Sequence, residues 1–518
     1  MNNGSAKTQK ILAIMFSSVL TLGVLGGCGP SEATSNSSNA ASLNSGPMKL
    51  SIMMPSFDPD LATDDSPVVK KLDKNTNTDI HLQWVPSDSY QDKFNVMLAS
   101  GNLPDIMVVA DQTNPAFVKA AEAGQFWDVG PYLKDYKNLS QLSSVVKQNA
   151  SINGHLYGVP RLRPLGRNGV AIRKDWLNNL GLQEPKTIDD FYNVLKAFKN
   201  GDPDKDGKND TYGLTVFQDT GAWTDMEAWF GVPNQWGKTA DGSLKPYFEF
   251  PQYQTALDFF KKLYDERLIN QDFAALPGSK ALDDIESGKS GVDVGVIDDA
   301  HRIELALDQK VYGTNATIEQ QEKKTYMTAL GGVAGPDGLK IMPTSGLAGL
   351  LAIPKTSVKT VTQLKQVLKF LDELNDKDNQ VLLYNGIEGQ QYTLQDGYAV
   401  FSTDQKKMKQ IHDINQMQMF LPKDESIQLY QTPLRKKENQ IEIDDEQIVV
   451  VNPAAGLISQ TYQQRGAQLD QIINDAMIQY ISGQIDKSGL QDAVKQWKVQ
   501  GGDQVVKEIN DLYQKEQN

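Results

Sequence analysis

Apolar positions along the chain follow two rhythms, one of two residues and one of three to four. Leu50-Ser51-Ile52-Met53-Met54 is a short apolar run stopped by Pro55, and a polar stretch with Asp58, Asp60 and Asp64 follows, which predicts a strand and then a loop. Val68 to Leu72 has a helical pattern, Ile80 to Val85 reads as a strand, and Asp92 to Ala99 reads as a helix before Gly101 and Pro104. Ile106 to Val109 is a third strand, ending at Asp111. Strands alternating with helices predict right-handed crossovers, a mostly parallel sheet and ligands met at the carboxyl ends of strands, so the first lobe is expected to be α/β. Beyond Pro185, Thr187 as N-cap and Asp190 three residues later announce a helix with Phe191, Val194, Leu195 and Phe198 on one face. Leu469, Ile472, Ile473, Ala476, Met477, Tyr480 and Ile481 repeat at three and four residues, the core stripe of an amphipathic helix. The sequence shows no internal repeat.

The first residues follow a different order. Lys7 and Lys10 precede an uncharged stretch from Ile11 to Gly27, 17 residues long, which ends in small residues before Cys28. A spanning helix needs about 20 apolar residues, so 1–27 reads as a signal peptide that is removed. Leu25-Gly26-Gly27-Cys28 resembles the lipobox of bacterial lipoproteins, in which the Cys is lipidated and begins the mature chain. The one Cys of the chain stands there; an ordinary signal peptide with an incidental Cys is the alternative. Acyl chains contribute about 0.8 kcal/mol per buried CH2, which would hold the protein at the cell membrane on its extracytoplasmic face. The rest of 28–47 is rich in Ser, Asn and Ala and reads as a flexible tether to a body spanning 48–518.

Composition narrows the chemistry. Among 518 residues, 51 Lys and Arg face 65 Asp and Glu, a formal charge of −14. With no long basic run, such a chain offers no surface for nucleic acid. A single Cys excludes an intramolecular disulfide and a Cys-based zinc site. The four His, at 81, 155, 301 and 412, form no H-E-x-x-H motif, and no G-x-S-x-G elbow occurs. Adjacent acids such as Asp298 and Asp299 are expected by chance among so many carboxylates, and neighbours in sequence usually point apart, so they do not indicate a glycosidase. The expectation is a protein that is not an enzyme.

Asp202-Pro203-Asp204-Lys205-Asp206-Gly207-Lys208-Asn209-Asp210 has another logic. Carboxylates of Asp202, Asp204, Asp206 and Asp210 at loop positions 1, 3, 5 and 9, a Gly at 6 and the Lys208 carbonyl at 7 could surround Ca2+ with oxygens, as in an EF-hand. Gly213 stands at position 12 in place of a bidentate Glu, so a ligand pair must come from elsewhere or from water. A structural calcium is expected; a solvated acidic turn built on Asx bonds is the alternative. Trp223, Trp229 and Trp236 fall within 14 residues, and Arg161, Arg163 and Arg167 follow Gly158-Val159-Pro160. Sugar rings stack C–H faces on aromatics while their hydroxyls pair with Asp, Asn and Arg, although Trp is equally a core residue.

Tyr157-Gly158-Val159-Pro160, Arg173-Lys174-Asp175-Trp176-Leu177-Asn178-Asn179-Leu180-Gly181-Leu182, Pro185-Lys186-Thr187 and the run from Asp202 to Tyr212-Gly213 together closely resemble the extracellular solute-binding proteins, family 1, of ABC importers. The likeness is to the large lipoprotein branch that includes alginate-binding and other complex-oligosaccharide-binding proteins. Ser100-Gly101-Asn102-Leu103-Pro104-Asp105-Ile106, Gly231-Val232-Pro233-Asn234-Gln235-Trp236 and Gly386-Ile387-Glu388-Gly389 extend it, as does the tail from Ile472 to Tyr513. Thr211 stands where a further acidic calcium ligand would be expected. The resemblance implies a type II, Venus-flytrap architecture of two α/β lobes with an interlobe ligand cleft. It also implies an oligosaccharide ligand, a pair of permease subunits and a separate ATPase. The first lobe is expected at about 48–160 plus about 290–345 and the second at about 161–289 plus about 346–518. Topology then points to Asp58, Asp111 and Asp298 just after strands, to Arg163 past the first crossing, and to Trp223 as a stacking platform. The arginines would suit a uronate-containing glycan, or they pair with local acids such as Asp175. A monomer is expected; a lipid-anchored glycan hydrolase or lyase, and a ligand-presenting sensor subunit, are the competing readings.

Overall fold

The computed structural model describes residues 46–218, 221–280, 282–313, 320 and 322–517, so the signal segment, Cys28 and nearly all of the tether lie outside the described residues. The chain lays down β1 (Met48–Ser56), β2 (Thr78–Pro86) and β3 (Ile106–Val109), with helices Pro67–Thr76 and Ser87–Ser100 between them, and then β4 (Gly158–Leu162). It crosses over to β5 (Asn168–Arg173), β6 (Tyr212–Leu214), the ribbon of β7 (Trp236–Lys238) and β8 (Leu244–Pro246), β9 (Ser290–Val296) and β10 (Met327–Leu330). It then returns as β11 (Leu347–Ala352).

The first sheet has the order β2-β1-β3-β11-β4. β1 is parallel to β2 and to β3, and β11 is antiparallel to β3 and to β4, so β4 runs in the same direction as β1 to β3. Unbroken burial from Ile52 to Ser56 in β1 marks a strand covered on both faces, as parallel crossovers require. Pro55 does not stop β1 as expected. Pairing with β3 is limited to Ile52 and Met53, so Pro55 lies beyond the stretch bonded on both sides, where a missing N–H is tolerated.

The second sheet, β10-β5-β9-β6, is mixed. β5 is antiparallel to both β9 and β10, and only β6 and β9 are parallel. Helix Ile188–Asn200 covers this lobe as its pattern predicts. The Thr187 hydroxyl accepts from the Asp190 N–H at 3.1 Å, the Asp190 carboxylate accepts from the Thr187 N–H at 3.1 Å, and Phe191, Val194, Leu195 and Phe198 are buried. Helix Gln460–Ile481 likewise buries Leu469, Ile473, Ala476, Met477, Tyr480 and Ile481.

Each sheet has its own core. One runs from Leu50 to Leu165 and resumes from Leu347 to Leu421, whereas the other runs from Val170 to Met342 and takes in Met477, Tyr480 and Ile481 of the C-terminal helices. The expected lobe boundaries are corrected accordingly. Residues 290–345 belong with the second sheet, because β9 and β10 pair with β5, and the start of the 346–518 segment belongs with the first, because β11 pairs with β3 and β4.

Among the described residues, segments 163–167, 331–346 and 422–432 each lead from one lobe to the other. They are tied together by Leu162 N–H to Met419 O at 2.9 Å, Arg163 N–H to Gly346 O at 2.9 Å and Thr344 N–H to Leu165 O at 3.0 Å. Gly166 allows the first crossing to seat on the end of helix Pro433–Asp445, since a Cβ there would lie 2.7 Å from the Glu442 carbonyl oxygen and from the Glu446 nitrogen.

Candidate ligand-binding site

Strand direction places the site. The carboxyl ends of β1 to β4 and the start of β11 form one edge of the first sheet, and the first crossing leaves from that edge at Leu162. The crossing enters the second sheet at Asn168, which pairs with Val296 at the end of β9, while Leu330 at the end of β10 pairs with Val170. Both sheets therefore turn loop-bearing ends toward the same crossing segments, where ligands of open α/β sheets are met. The open grooves along helices Gln460–Ile481 and Lys487–Trp497, lined by residues such as Gln471, Asp475 and Asp492, lie on the C-terminal hairpin instead.

Asp58 follows β1. Its Oδ1 accepts from the Asp60 N–H at 2.8 Å and its Oδ2 lies 3.2 Å from His412 Nδ1, while Asp413 accepts from the Phe57 and Asp58 N–H groups at 2.7 and 3.0 Å. The Asp58 loop is thus fastened to the turn at 412–413, leaving Phe57 exposed. Asp111 follows β3 and is exposed; its Oδ1 accepts from the Thr113 N–H and hydroxyl at 2.8 and 2.7 Å, forming the turn that leads to helix Pro115–Glu122. Arg163 is half-buried between the crossings, donates to the Leu162 carbonyl at 2.7 Å, and stands 5.8 Å from the Phe420 ring centroid.

Asp298, past β9, is buried and accepts from Arg167 at 2.6 Å on one oxygen and from Arg435 at 2.6 Å on the other. Burial pushes this carboxyl up, but the two guanidinium groups outweigh it and hold it below the usual carboxylate range. Arg435 also donates to Glu438 at 2.9 Å, and Glu438 lies 2.7 Å from His301 Nδ1. Asp298, His301 and Glu438 are near enough to share an ion. Their carboxylates already meet fixed cations, however, so this set does not fit a metal.

Trp223 is not at this edge. It is fully buried in the second core, with ring centroids 4.6 Å from Phe260 and 5.8 Å from Phe273, so the expected stacking platform is corrected to a core residue. Trp229 is also core, packed 5.1 Å from Phe191, and Trp236 packs under the C-terminal helices. The clustering of tryptophans reflects a large apolar lobe. The partners of Asp298 were out of reach from sequence, because Arg167 and Arg435 lie 131 and 137 residues away from it.

The acidic loop follows helix Ile188–Asn200. Asp202, Asp204 and Asp206 bring carboxylate oxygens within 4.8 Å of one another. The Asp202 and Asp204 Oδ1 atoms are buried without a hydrogen-bond partner, and burial followed by the Asp206 charge pushes the Asp204 carboxyl up. Gly207, at φ 82°, donates its N–H to Asp202 at 3.2 Å, and Asn179 donates to the Pro203 carbonyl at 2.8 Å. Asp210 is exposed outside this trio, and the Lys208 ammonium pairs with Asp206 at 2.6 Å. Orphaned buried oxygens facing like charges fit a hard cation.

Comparison with known proteins agrees with this architecture. The family model described as bacterial extracellular solute-binding protein matches residues 55–381. The chain is 44% identical to lipoprotein LipO of Bacillus subtilis, over 95% of this chain and 96% of that one. It is 35% identical to the polygalacturonan/rhamnogalacturonan-binding protein YtcQ of the same species, over 86% and 87%. An HMO-binding, ABC-transporter-associated solute-binding protein from Bifidobacterium longum infantis shares the fold at TM-score 0.65 and 19% identity, covering 90% of this chain and 99% of that one. A two-lobed body whose sheet ends converge on its crossing segments, matched by the family model over most of its length, belongs to the bacterial extracellular solute-binding proteins.

Proposed function

We propose that this protein captures an oligosaccharide between its two lobes and hands it, unaltered, to a pair of permease subunits driven by a separate ATPase. The observation that carries the reading is the convergence of both sheet edges on the crossing segments, in a chain 35% identical over 86% of its length to a protein named as polygalacturonan/rhamnogalacturonan-binding. Binding of this kind needs no chemistry, only a ligand that prefers one lobe arrangement, since differential affinity alone shifts the equilibrium. Asp58, Asp111 and Arg163 line the first-lobe edge; Asp298 supports the second through Arg167 and Arg435.

Lipid on Cys28 would hold the body at the outer face of the cell membrane, a reading supported by the resemblance to a lipobox and by 44% identity to a lipoprotein. Asp202, Asp204 and Asp206 would hold calcium, which when bound would offset two of the three crowded carboxylate charges and fix the turn between helix Ile188–Asn200 and β6.

A thermal-shift screen of neutral and uronate-containing oligosaccharides, with recovered sugar analysed by mass, tests the reading. At a hundredfold excess over Kd a ligand raises stability by about 2.7 kcal/mol. A selective shift with intact sugar is expected; shortened sugar would put a hydrolase or lyase in its place.

A further inference from the structure

Two guanidinium groups at the crossing region have no acid beside them. Arg161, in β4, is 5% exposed; it donates to the Ala348 carbonyl at 3.0 Å, and its Nε is buried without a partner. Arg163 lies two residues on, just past the end of β4, and near enough for its charge to act on Arg161. Neither forms an ion pair with any described residue, and the charged neighbours acting on them are cations, Arg163 on Arg161 and Arg167 on Arg163. Burial lowers Arg161 to about 10, with Arg163 adding to the effect, and burial followed by Arg167 lowers Arg163. The third arginine differs, because Asp298 neutralises Arg167. Charges withdrawn from water are normally met by an opposite charge.

We propose that Arg163, backed by Arg161, seats the carboxylate of an acidic sugar unit at the floor of the interlobe region. The inference rests on the reading that an oligosaccharide binds there. A guanidinium offers a planar fork that matches a carboxylate, which an ammonium does not. Phe420, held at φ 58° beside Arg163, supplies a ring on which the C–H face of the same unit can lie.

Calorimetric titration of the purified full chain in detergent tests this, with tetragalacturonate, its carboxyl-reduced neutral form, free acetate and phosphate, and neutral fructo-oligosaccharides as probes. The expected result is binding of tetragalacturonate with at least tenfold weaker binding of the reduced form. Arg163→Gln should erase that difference while the melting temperature stays near wild type, and Arg163→Lys should restore it in part. Arg161→Gln should weaken the acidic sugar more than the neutral one. Equal binding of the acidic and reduced sugars overturns the inference and leaves the oligosaccharide reading intact. Arginine-dependent binding of free anions without binding of tetragalacturonate overturns the sugar as the source of the carboxylate. Silence of both galacturonate forms and the anions also overturns the inference; only added silence of the neutral fructo-oligosaccharides counts against the oligosaccharide reading as well.

Discussion

Charge placement decides what single residues do at the crossing region. Asp298 is held ionised by Arg167 and Arg435, whereas Asp445, on the helix that packs against Gly166, has an orphaned Oδ2 and is pushed up to about 7 by burial and then by Asp444. The pH signs are therefore opposite. The Asp298 contribution is present above its unfolded pKa near 4 and is lost as the pH falls through its lower folded value. For Asp445 the folded state holds its proton longer, so stability is fully present below about pH 4 and is lost as the pH rises toward 7. Asp445→Asn should flatten the fall in unfolding free energy between about pH 4 and 7, measured by urea titration at each pH. An unchanged slope would assign the fall to other groups, of which Glu304, also pushed up to about 7 by burial, is one.

At the scale of elements, legibility followed the range of the interaction. The capping box at Thr187 and the buried face of its helix could be read directly, because the bonds span three residues. The first three strands were equally plain, since continuous burial in β1 and β3 writes itself as an apolar run and β2 alternates buried with exposed residues along its first half. Membership of β9, β10 and β11 in one sheet or the other could not be read, as it depends on pairings made across the whole chain. The candidate positions divided the same way: that Asp58, Asp111 and Asp298 follow strands was legible from topology, but apolar ring and sugar platform look alike in sequence until burial is known. Trp223 shows the cost of that ambiguity. Trp223→Ala should lower stability by about 3–5 kcal/mol in denaturant unfolding, and the molecules that remain folded should bind sugar with unchanged Kd. A tenfold loss of affinity at intact stability would return Trp223 to the site.

For the whole molecule, separate apolar cores under the two sheets, linked through the crossing segments, are the arrangement in which a ligand touching both edges would favour the approach of the lobes. The acidic loop lies within the second lobe, fastened there through Asn179 and Thr211. Calcium should therefore raise the melting temperature, with the gain abolished in Asp204→Asn, while the sugar Kd stays unchanged. Equal melting temperatures in calcium and in chelator would identify the loop as an acidic turn held by its own hydrogen bonds. The central claim, that the ligand is held between lobes, is tested most directly by small-angle X-ray scattering with and without a saturating oligosaccharide from the screen. The account predicts a smaller radius of gyration in the bound protein, and an unchanged radius with full occupancy would contradict it.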